Sequence, residues 1–445
     1  MSGTSMDGID AALIRTNGKD TVELLAYLET PYSDETRTAI RQQLLCETRT
    51  EEVSALELVL TEQHISAVQA LLQSQVGQSL LASSSSGAGA NPSAGEPGQA
   101  AAAAAAAPGA AAAAAEASSA QAAQHVHIVG FHGHTLSHAP DRGHTLQIGD
   151  GQLMANTLQI PVAFDFRTAD VLSGGQGAPL VPVFHRALVA SLLQSDLAVG
   201  TPMLKDADCV AVVNVGGVSN ITFIDLEHIH SENPTSEHLL AFDCGPGNAY
   251  MDDFCASHLG CRCDEGGCLA EQGTLHDAAV DAFMQHAFFT APPPKSLDRQ
   301  SLGAAAREAM ALLPSDAPPS ASLATLTSMT ACSIAASVQH LPRVPPVWIV
   351  CGGGRHNAAL MGMLQVELTA TAGHGPMYAH GSAEQAPQVV PAEVVGWRGD
   401  SMEAEAFGFL AVRAGRGLPL TYPGTTGVPN STKGGVIVQP ESKIS

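Results

Sequence analysis

Asp165 ends a short apolar run, Ile160-Pro-Val-Ala-Phe, and is followed by Phe166 and Arg167. A carboxylate held between two phenylalanines at a strand end is partly desolvated and firmly placed. Those are the requirements for a general base that takes a proton from a hydroxyl or from water. The alternative is an Asp165–Arg167 pair on one strand face with no catalytic part, and residue chemistry alone leaves both open.

A second kind of chemistry is written in glycines. Asn214-Val-Gly-Gly-Val-Ser-Asn follows the apolar run Val210-Ala-Val-Val and precedes Ile221-Thr-Phe-Ile, which predicts a strand, a Gly turn and a returning strand. Gly216 and Gly217 there let the backbone approach a ligand, and turn N–H groups can cradle a phosphate. An ordinary hairpin would read the same way. The design recurs, however, in Ser2-Gly-Thr-Ser-Met-Asp-Gly8 before an alternating run, and in Val347-Trp-Ile-Val running into Cys351-Gly-Gly-Gly354. Neither has the ending of a P-loop or the Rossmann glycine spacing. Three such elements suggest two similar lobes clasping a nucleotide.

With 445 residues there is room for two domains with full cores. The chain has 20 basic against 43 acidic residues and a formal charge of −23. Nucleic acid and anionic membrane surfaces need clustered positive charge, so neither is expected as a partner. Any ATP site must draw its positive potential from backbone N–H groups, helix N-termini and Mg2+. No run reads as long and apolar enough to span a bilayer, and no signal-peptide pattern opens the chain. The expected compartment is cytoplasmic, or an organelle if a leader precedes Met1. The cluster Cys255, Cys261, Cys263 and Cys268 lacks Cys-x-x-Cys spacing, which favours reduced thiols over a zinc site.

The elements that must position these groups follow from pattern. Val22 to Leu28 reads as a strand, Ser33 to Leu45 as a capped helix, and Val53 to Leu72 as an amphipathic helix. Residues 78–124 are dominated by Ser, Gly, Pro and an Ala tract, and are expected to be a disordered insert with no chemical role. His125 to Val129 reads as a strand leading to His132 and His134, loop histidines expected to face a polar substrate rather than a metal. Gln147 lies in a second polar stretch, and Ser173-Gly-Gly-Gln-Gly-Ala-Pro reads as a hinge or substrate loop before a helix near Val183. Asp243 and Asn248 break a strand before a helix, where they reach a ligand or Asn248 caps the helix. Asp400 and Glu403 have capping-box spacing, the alternative being a Glu403 carboxylate aimed at Mg2+ or substrate.

Taken together, the chain resembles the anhydro-N-acetylmuramic acid kinases. The resemblance is carried by Met1-Ser-Gly-Thr-Ser-Met-Asp-Gly, Phe131-His-Gly-His-Thr, His144-Thr-Leu-Gln-Ile-Gly-Asp, Asp165-Phe-Arg and Gly174-Gly-Gln-Gly-Ala-Pro-Leu-Val-Pro. Asn214-Val-Gly-Gly-Val-Ser-Asn, Asp243-Cys-Gly-Pro-Gly-Asn, Pro294-Lys-Ser and Val350-Cys-Gly-Gly-Gly continue it in order. It implies an α/β fold of the sugar kinase/Hsp70/actin type, with two ribonuclease-H-like lobes around a central ATP cleft. Residues 1–188 would form the first lobe, 189–398 the second, and 399–445 a helix and tail packing back toward the first. The implied activity is ATP- and Mg2+-dependent conversion of 1,6-anhydro-N-acetylmuramic acid to its 6-phosphate.

On that resemblance Asp165 activates the water and Arg167 orients it or the sugar. Gly3, Thr4, Ser5, Met6, Asp7, Gly8, Ile9 and Asp10 would hold ATP phosphates, with Asp7 near the metal. Asn214, Gly216 and Gly217 would form the second phosphate hairpin, and Gly352, Gly353 and Gly354 would approach the adenosine. His132, Gln147, Asp243, Asn248 and Glu403 are expected on the substrate. The expected partners are ATP and a small amino sugar, without nucleic acid or membrane, and a homodimer is left open. The chain departs from the family pattern at His134, where Gln is usual, and at Leu297-Asp298, where Thr-Gly is usual. Members also carry an apolar strand before the Ser-Gly-Thr-Ser loop. Either the chain begins further upstream, which is the expectation here, or the core holds an unfilled slot with unpaired backbone groups.

Overall fold

The computed structural model describes residues 1–2, 6–74, 125–195, 202–372 and 386–442. The Ala-rich insert and Gly3, Thr4 and Ser5 lie outside the described residues. The chain is mixed α/β, with β1 (Gly8–Thr16) and β2 (Val22–Pro31) paired antiparallel. Helix α1 (Asp34–Gln43) starts at Ser33, whose hydroxyl accepts the Thr36 N–H, and α2 (Glu51–Gln73) is capped in the same way by Thr50. The expected strand at His125 shrinks to β3 (Val129–Gly130), which pairs with one neighbour, β6 (Val162–Phe164). Between them run the antiparallel pair β4 (His134–Ala139) and β5 (His144–Ile148) and helix α3 (Gly151–Leu158). Helices α4 (Thr168–Leu172) and α5 (Pro182–Leu193) follow β6.

A five-stranded sheet carries the middle of the chain, in the order β11-β10-β7-β8-β9. Its strands are β7 (Cys209–Val215), β8 (Val218–Asp225), β9 (Leu239–Pro246), β10 (Val347–Cys351) and β11 (Gln388–Pro391). The expected hairpin is β7 and β8, antiparallel, while β7, β10 and β11 are parallel. Alternate side chains of β7 fill two cores. Val210 and Val212 face Leu188 of α5 and Leu410, whereas Ala211 and Val213 face Ile334 and Leu364. Burial on both faces explains the unbroken apolar run, since a strand with one wet face would alternate.

Helix α6 (Ala249–Phe254) follows β9, and α7 (Pro319–Ala336) and α8 (Ala358–Ala372) cover one face of this sheet. The segment Pro319–His340 is, by length and composition, apolar enough to cross a membrane, contrary to the sequence-based reading. It is mostly buried in the protein, as a core helix is. Helix α9 (Met402–Gly415) packs against β1, β3 and β6, and the tail strand β12 (Val436–Val438) pairs with β6.

Among the described residues the outer edge of β1 is paired only at its start, where the Met1 amine donates to the Asp10 carbonyl at 2.8 Å and the Asp10 N–H donates to Met1 at 2.9 Å. Beyond that pair lies a cavity of about 500 Å3 between β1 and β3, floored by Gly408 of α9 and roofed by Val68 of α2. His64 projects from that roof, its Nδ1 on the Leu60 carbonyl and its buried Nε2 without a partner among the described residues.

Candidate active site

Asp165 follows directly on β6, and its backbone turns into the left-handed region with φ 49°. Only Asn and Asp among side-chain-bearing residues visit that region readily, because a short polar group can bond locally. Here Oδ1 accepts the Thr168 N–H at 3.3 Å, which ties the carboxylate to the start of α4. Such a conformation persists only where the surroundings impose it, and it clusters at functional sites. Asp165 lines a pocket of about 150 Å3 together with His132, Gln147, Thr145, Thr168 and Arg49.

Arg167 is not paired with Asp165, so the surface ion-pair alternative fails. Its guanidinium is buried, donates from Nε and Nη2 to His132 Nε2 at 3.2 and 3.0 Å, and donates from Nη1 to the Gly177 carbonyl at 2.7 Å. Burial pulls its pKa down to about 10, with Glu403 and Asp170 opposing the shift. His132 Nδ1 lies 3.0 Å from the Gly133 carbonyl, so this nitrogen carries the proton and Nε2 is the acceptor. Burial first, and the Arg167 charge second, hold His132 well below the usual histidine range.

His134 does not face the pocket. It is buried against Ser2 Oγ at 2.9 Å, Ser2 in turn accepts from Tyr32 at 2.8 Å, and burial lowers the His134 pKa to about 4. The Gly-rich loop after α4 is pinned rather than free. Buried Asp170 accepts the Gly177 N–H at 2.7 Å and the Thr426 hydroxyl at 2.7 Å, and also bonds Thr421. His138 Nε2 sits 2.9 Å from the Gln176 carbonyl on the same loop. Gln147 Nε2 donates to Thr145 at 2.7 Å and to Thr135 at 3.3 Å.

The glycine turns at the ends of β7 and β10 lie side by side, since Asn214 and Cys351 are neighbours in register. The Gly352 φ of 75° and the proximity of the Val215 carbonyl require glycine there. Gly217 is open, with nothing within 4 Å of an added Cβ, and Gly353 meets only Asn248 Nδ2 at 3.6 Å. Both backbones are therefore accessible to a ligand. Asn248 donates its N–H to Gly216 at 2.7 Å and its Nδ2 to Val215 at 3.4 Å, which places it with these glycines and not in the Asp165 pocket. It occupies the N-cap position of α6 without a side-chain cap bond. Asp243 Oδ2 accepts the Leu297 N–H at 2.7 Å, and burial pushes its pKa up to about 7.

Asp7 Oδ2 accepts from Arg262 at 3.4 Å, and Asp10 Oδ1 accepts the Tyr27 hydroxyl at 2.6 Å. Burial raises the Asp10 pKa. The capping-box expectation at Asp400 is overturned. Helix α9 is N-capped at Ser401 without a side-chain cap bond, because Asp400 is engaged by both Nη atoms of Arg355 at 2.8 and 2.6 Å. Arg355 also holds Glu393 at 2.8 Å. That clamp fastens the turn after β10 to the start of α9 and leaves Glu403 free of capping. Burial, then Asp10, raise the Glu403 pKa, and Arg167 lowers it. Glu403 thus lies within electrostatic reach of Arg167 on one hand and of Asp7 and Asp10 on the other.

Sequence reasoning passed over Arg355, Asp170, Arg262 and Tyr27. Arg355 directly follows Gly354, a readable signal. Asp170 acquires its partners only when the tail folds back. Among the described residues, no three His, Cys, Asp or Glu side chains converge as a metal site.

Open glycine turns at adjacent strand ends and a pocket built on a strand-end carboxylate suit an α/β protein of the kinase type. A family model described as Anhydro-N-acetylmuramic acid kinase matches residues 1–91 and 97–440. The chain belongs to the anhydro-N-acetylmuramic acid kinase family. A relative of that name from Rhodopseudomonas palustris (strain BisB18) is 41% identical over 440 residues, covering 99% of this chain and 98% of its own. Another from Bradyrhizobium diazoefficiens is 39% identical over 447 residues with the same coverage.

Proposed function

We propose that this chain converts 1,6-anhydro-N-acetylmuramic acid, ATP and water to N-acetylmuramic acid 6-phosphate and ADP, as a step in cell-wall sugar recycling. The observation that carries this reading is Asp165, held at φ 49° at the mouth of its strand in a pocket beside Arg167 and His132. Asp165 takes a proton from water, whose oxygen attacks the anomeric carbon. The bond from that carbon to O6 breaks, and O6 takes the γ-phosphoryl group as the β–γ bridge of ATP opens. Arg167 stays a fixed cation that orients the water or the sugar, and neutral His132 holds it in place. Gln147 offers amide contacts to sugar hydroxyls. Positioning of this kind is the main resource of phosphoryl transfer.

The nucleotide lies against Gly216, Gly217 and Gly353, whose open backbones suit phosphate oxygens, and against the Met6–Asp10 segment. Asp7 suits Mg2+, an ion that keeps water and phosphate oxygens around one or two carboxylates. The metal supplies charge neutralisation to the transferring phosphoryl. Residues 1–188 and 189–398 are read as the two ribonuclease-H-like lobes, with 399–445 returning to the first. Asn248 is read as a brace of the phosphate hairpin, and Asp243 and Glu403 as substrate-side acids.

The experiment is ADP release on adding 1,6-anhydro-N-acetylmuramic acid, with the product mass read in parallel. A gain of phosphate plus water on the sugar supports the reading. ATP binding without turnover on any anhydro sugar would replace it with a non-catalytic binding protein, and turnover only on another amino sugar would reassign the substrate.

A further inference from the structure

The wall of the Asp165 pocket carries a cation that the proposed chemistry does not use. Arg49 stands just before Thr50, the cap of α2, and lines the pocket beside Gln147 and Thr168. Two contacts fix it. Nη1 bonds Glu57 Oε2, one of the two oxygens of a carboxylate whose other oxygen accepts the Gly149 N–H at 2.8 Å. Nη2 donates to the Gln147 carbonyl at 3.4 Å. The guanidinium is thereby docked to both α2 and β5, the elements that flank the pocket. Its Nε–H has no partner among the described residues, and its side chain remains 47% exposed while Glu57 is 14% exposed.

A guanidinium held along one edge, with the rest of its fork open to a pocket, is prepared for a planar anion. Ordering it costs little further entropy, and a bidentate carboxylate bond is stronger and more directional than a neutral one. Other charges around the pocket do not supply this. Arg167 spends its donors on His132 and Gly177, and His132 is neutral. In a chain with 20 basic against 43 acidic residues, a cation placed at a ligand pocket is not a solvated average of the surface.

We propose that Arg49 binds the carboxylate of the 3-O-lactyl group of the muramic acid substrate, and so selects muramic over glucosamine anhydro sugars. The assignment rests on the function proposed above, and Arg49 is a specificity residue that touches no reacting atom. Glu57 limits the affinity, since it neutralises part of the charge, but it also keeps the fork from folding away.

The test compares 1,6-anhydro-N-acetylmuramic acid with 1,6-anhydro-N-acetylglucosamine, which lacks the lactyl group, on wild type, Arg49→Gln and Arg49→Lys. In Arg49→Gln the muramic sugar loses roughly 10- to 100-fold in kcat/KM, mostly through KM, as expected for one lost charge-assisted contact. The glucosamine sugar is unchanged, so the selectivity collapses, and Arg49→Lys restores part of it. Equal losses on both sugars would make Arg49 merely structural, and no loss on either would end the proposal. If wild type turns over neither sugar, the functional reading fails separately. Calorimetric binding of the two sugars to wild type and Arg49→Gln then still decides whether the carboxylate is read at Arg49.

Discussion

Arg167 and His132 fix each other: two guanidinium nitrogens converge on one imidazole nitrogen, at 3.2 and 3.0 Å, and His132 lines the Asp165 pocket. The imidazole accepts there only while neutral. Its burial and the adjacent cation keep it so, which removes His132 as a general acid or base and makes it a positioning residue. His132→Ala leaves buried Arg167 donors without an acceptor, at a cost of about 1–3 kcal/mol. The melting temperature should fall and kcat with it. His132→Gln offers an amide oxygen and should recover a good part of both. The wild-type rate should show no limb near pH 6.5 from this residue, and a histidine limb that vanishes in His132→Gln would contradict the assignment.

Asp165→Asn separates chemistry from shape. Asn tolerates the left-handed backbone that Asp165 adopts, and its side-chain oxygen still accepts from Thr168. Folding should be unaffected within about 0.5 kcal/mol, as judged by thermal melts. Turnover should fall by roughly 10^2- to 10^4-fold, the range for a lost general base. ATP binding should persist. An Asn variant that releases ADP as fast as wild type would remove Asp165 from the mechanism.

Much of this was legible in the residues because it was local. The β7–β8 hairpin, the strand into Cys351-Gly-Gly-Gly354 and the cap at Ser33 rest on periodicity and turn chemistry within a few positions. What could not be read was set by distant chain. Asp400 has capping-box spacing, but Arg355 outbids the α9 backbone for its carboxylate with a bidentate bond. His134 looks like a pocket residue until Ser2 buries it. His125 to Ile128 has strand composition, yet the side toward β1 is cavity, and a strand without ladder partners is not formed. Asp170 meets Thr421 and Thr426 across some 250 residues of chain, separations of 251 and 256, which no window detects.

Asp243 makes stability pH-dependent in a stated direction. Its folded pKa of about 7 stands above the roughly 3.9 of an unfolded aspartate. As pH rises between these values the unfolded chain ionises first, so the folded state loses relative stability until about pH 7. The loss is on the order of 4 kcal/mol. Asp243→Asn keeps an oxygen for the Leu297 N–H and abolishes the ionisation. The variant's advantage in thermal melts should therefore be small near pH 4 and largest at pH 8. An advantage that shrinks with rising pH would show that Asp243 is ionised in the fold.

Asp170 links the tail to the segment after β6 through the Gly-rich loop. Its carboxylate receives a backbone N–H and two threonine hydroxyls, while Arg167 holds the Gly177 carbonyl on the same loop. Replacing it with Asn turns one acceptor into a donor that faces other donors, and an unmatched buried group costs about 1–3 kcal/mol. The loop 173–177 should then open to protease cleavage, and Arg167 should lose one of its anchors. Turnover should drop without loss of ATP binding, because the glycine turns of β7 and β10 are untouched. Asp170→Ala, with the hydroxyls left to pair with each other or with water, should loosen the same loop. Unchanged cleavage and unchanged turnover in both variants would mean that the loop is held by Arg167, His138 and the Gln176 N–H on the Thr426 carbonyl without Asp170.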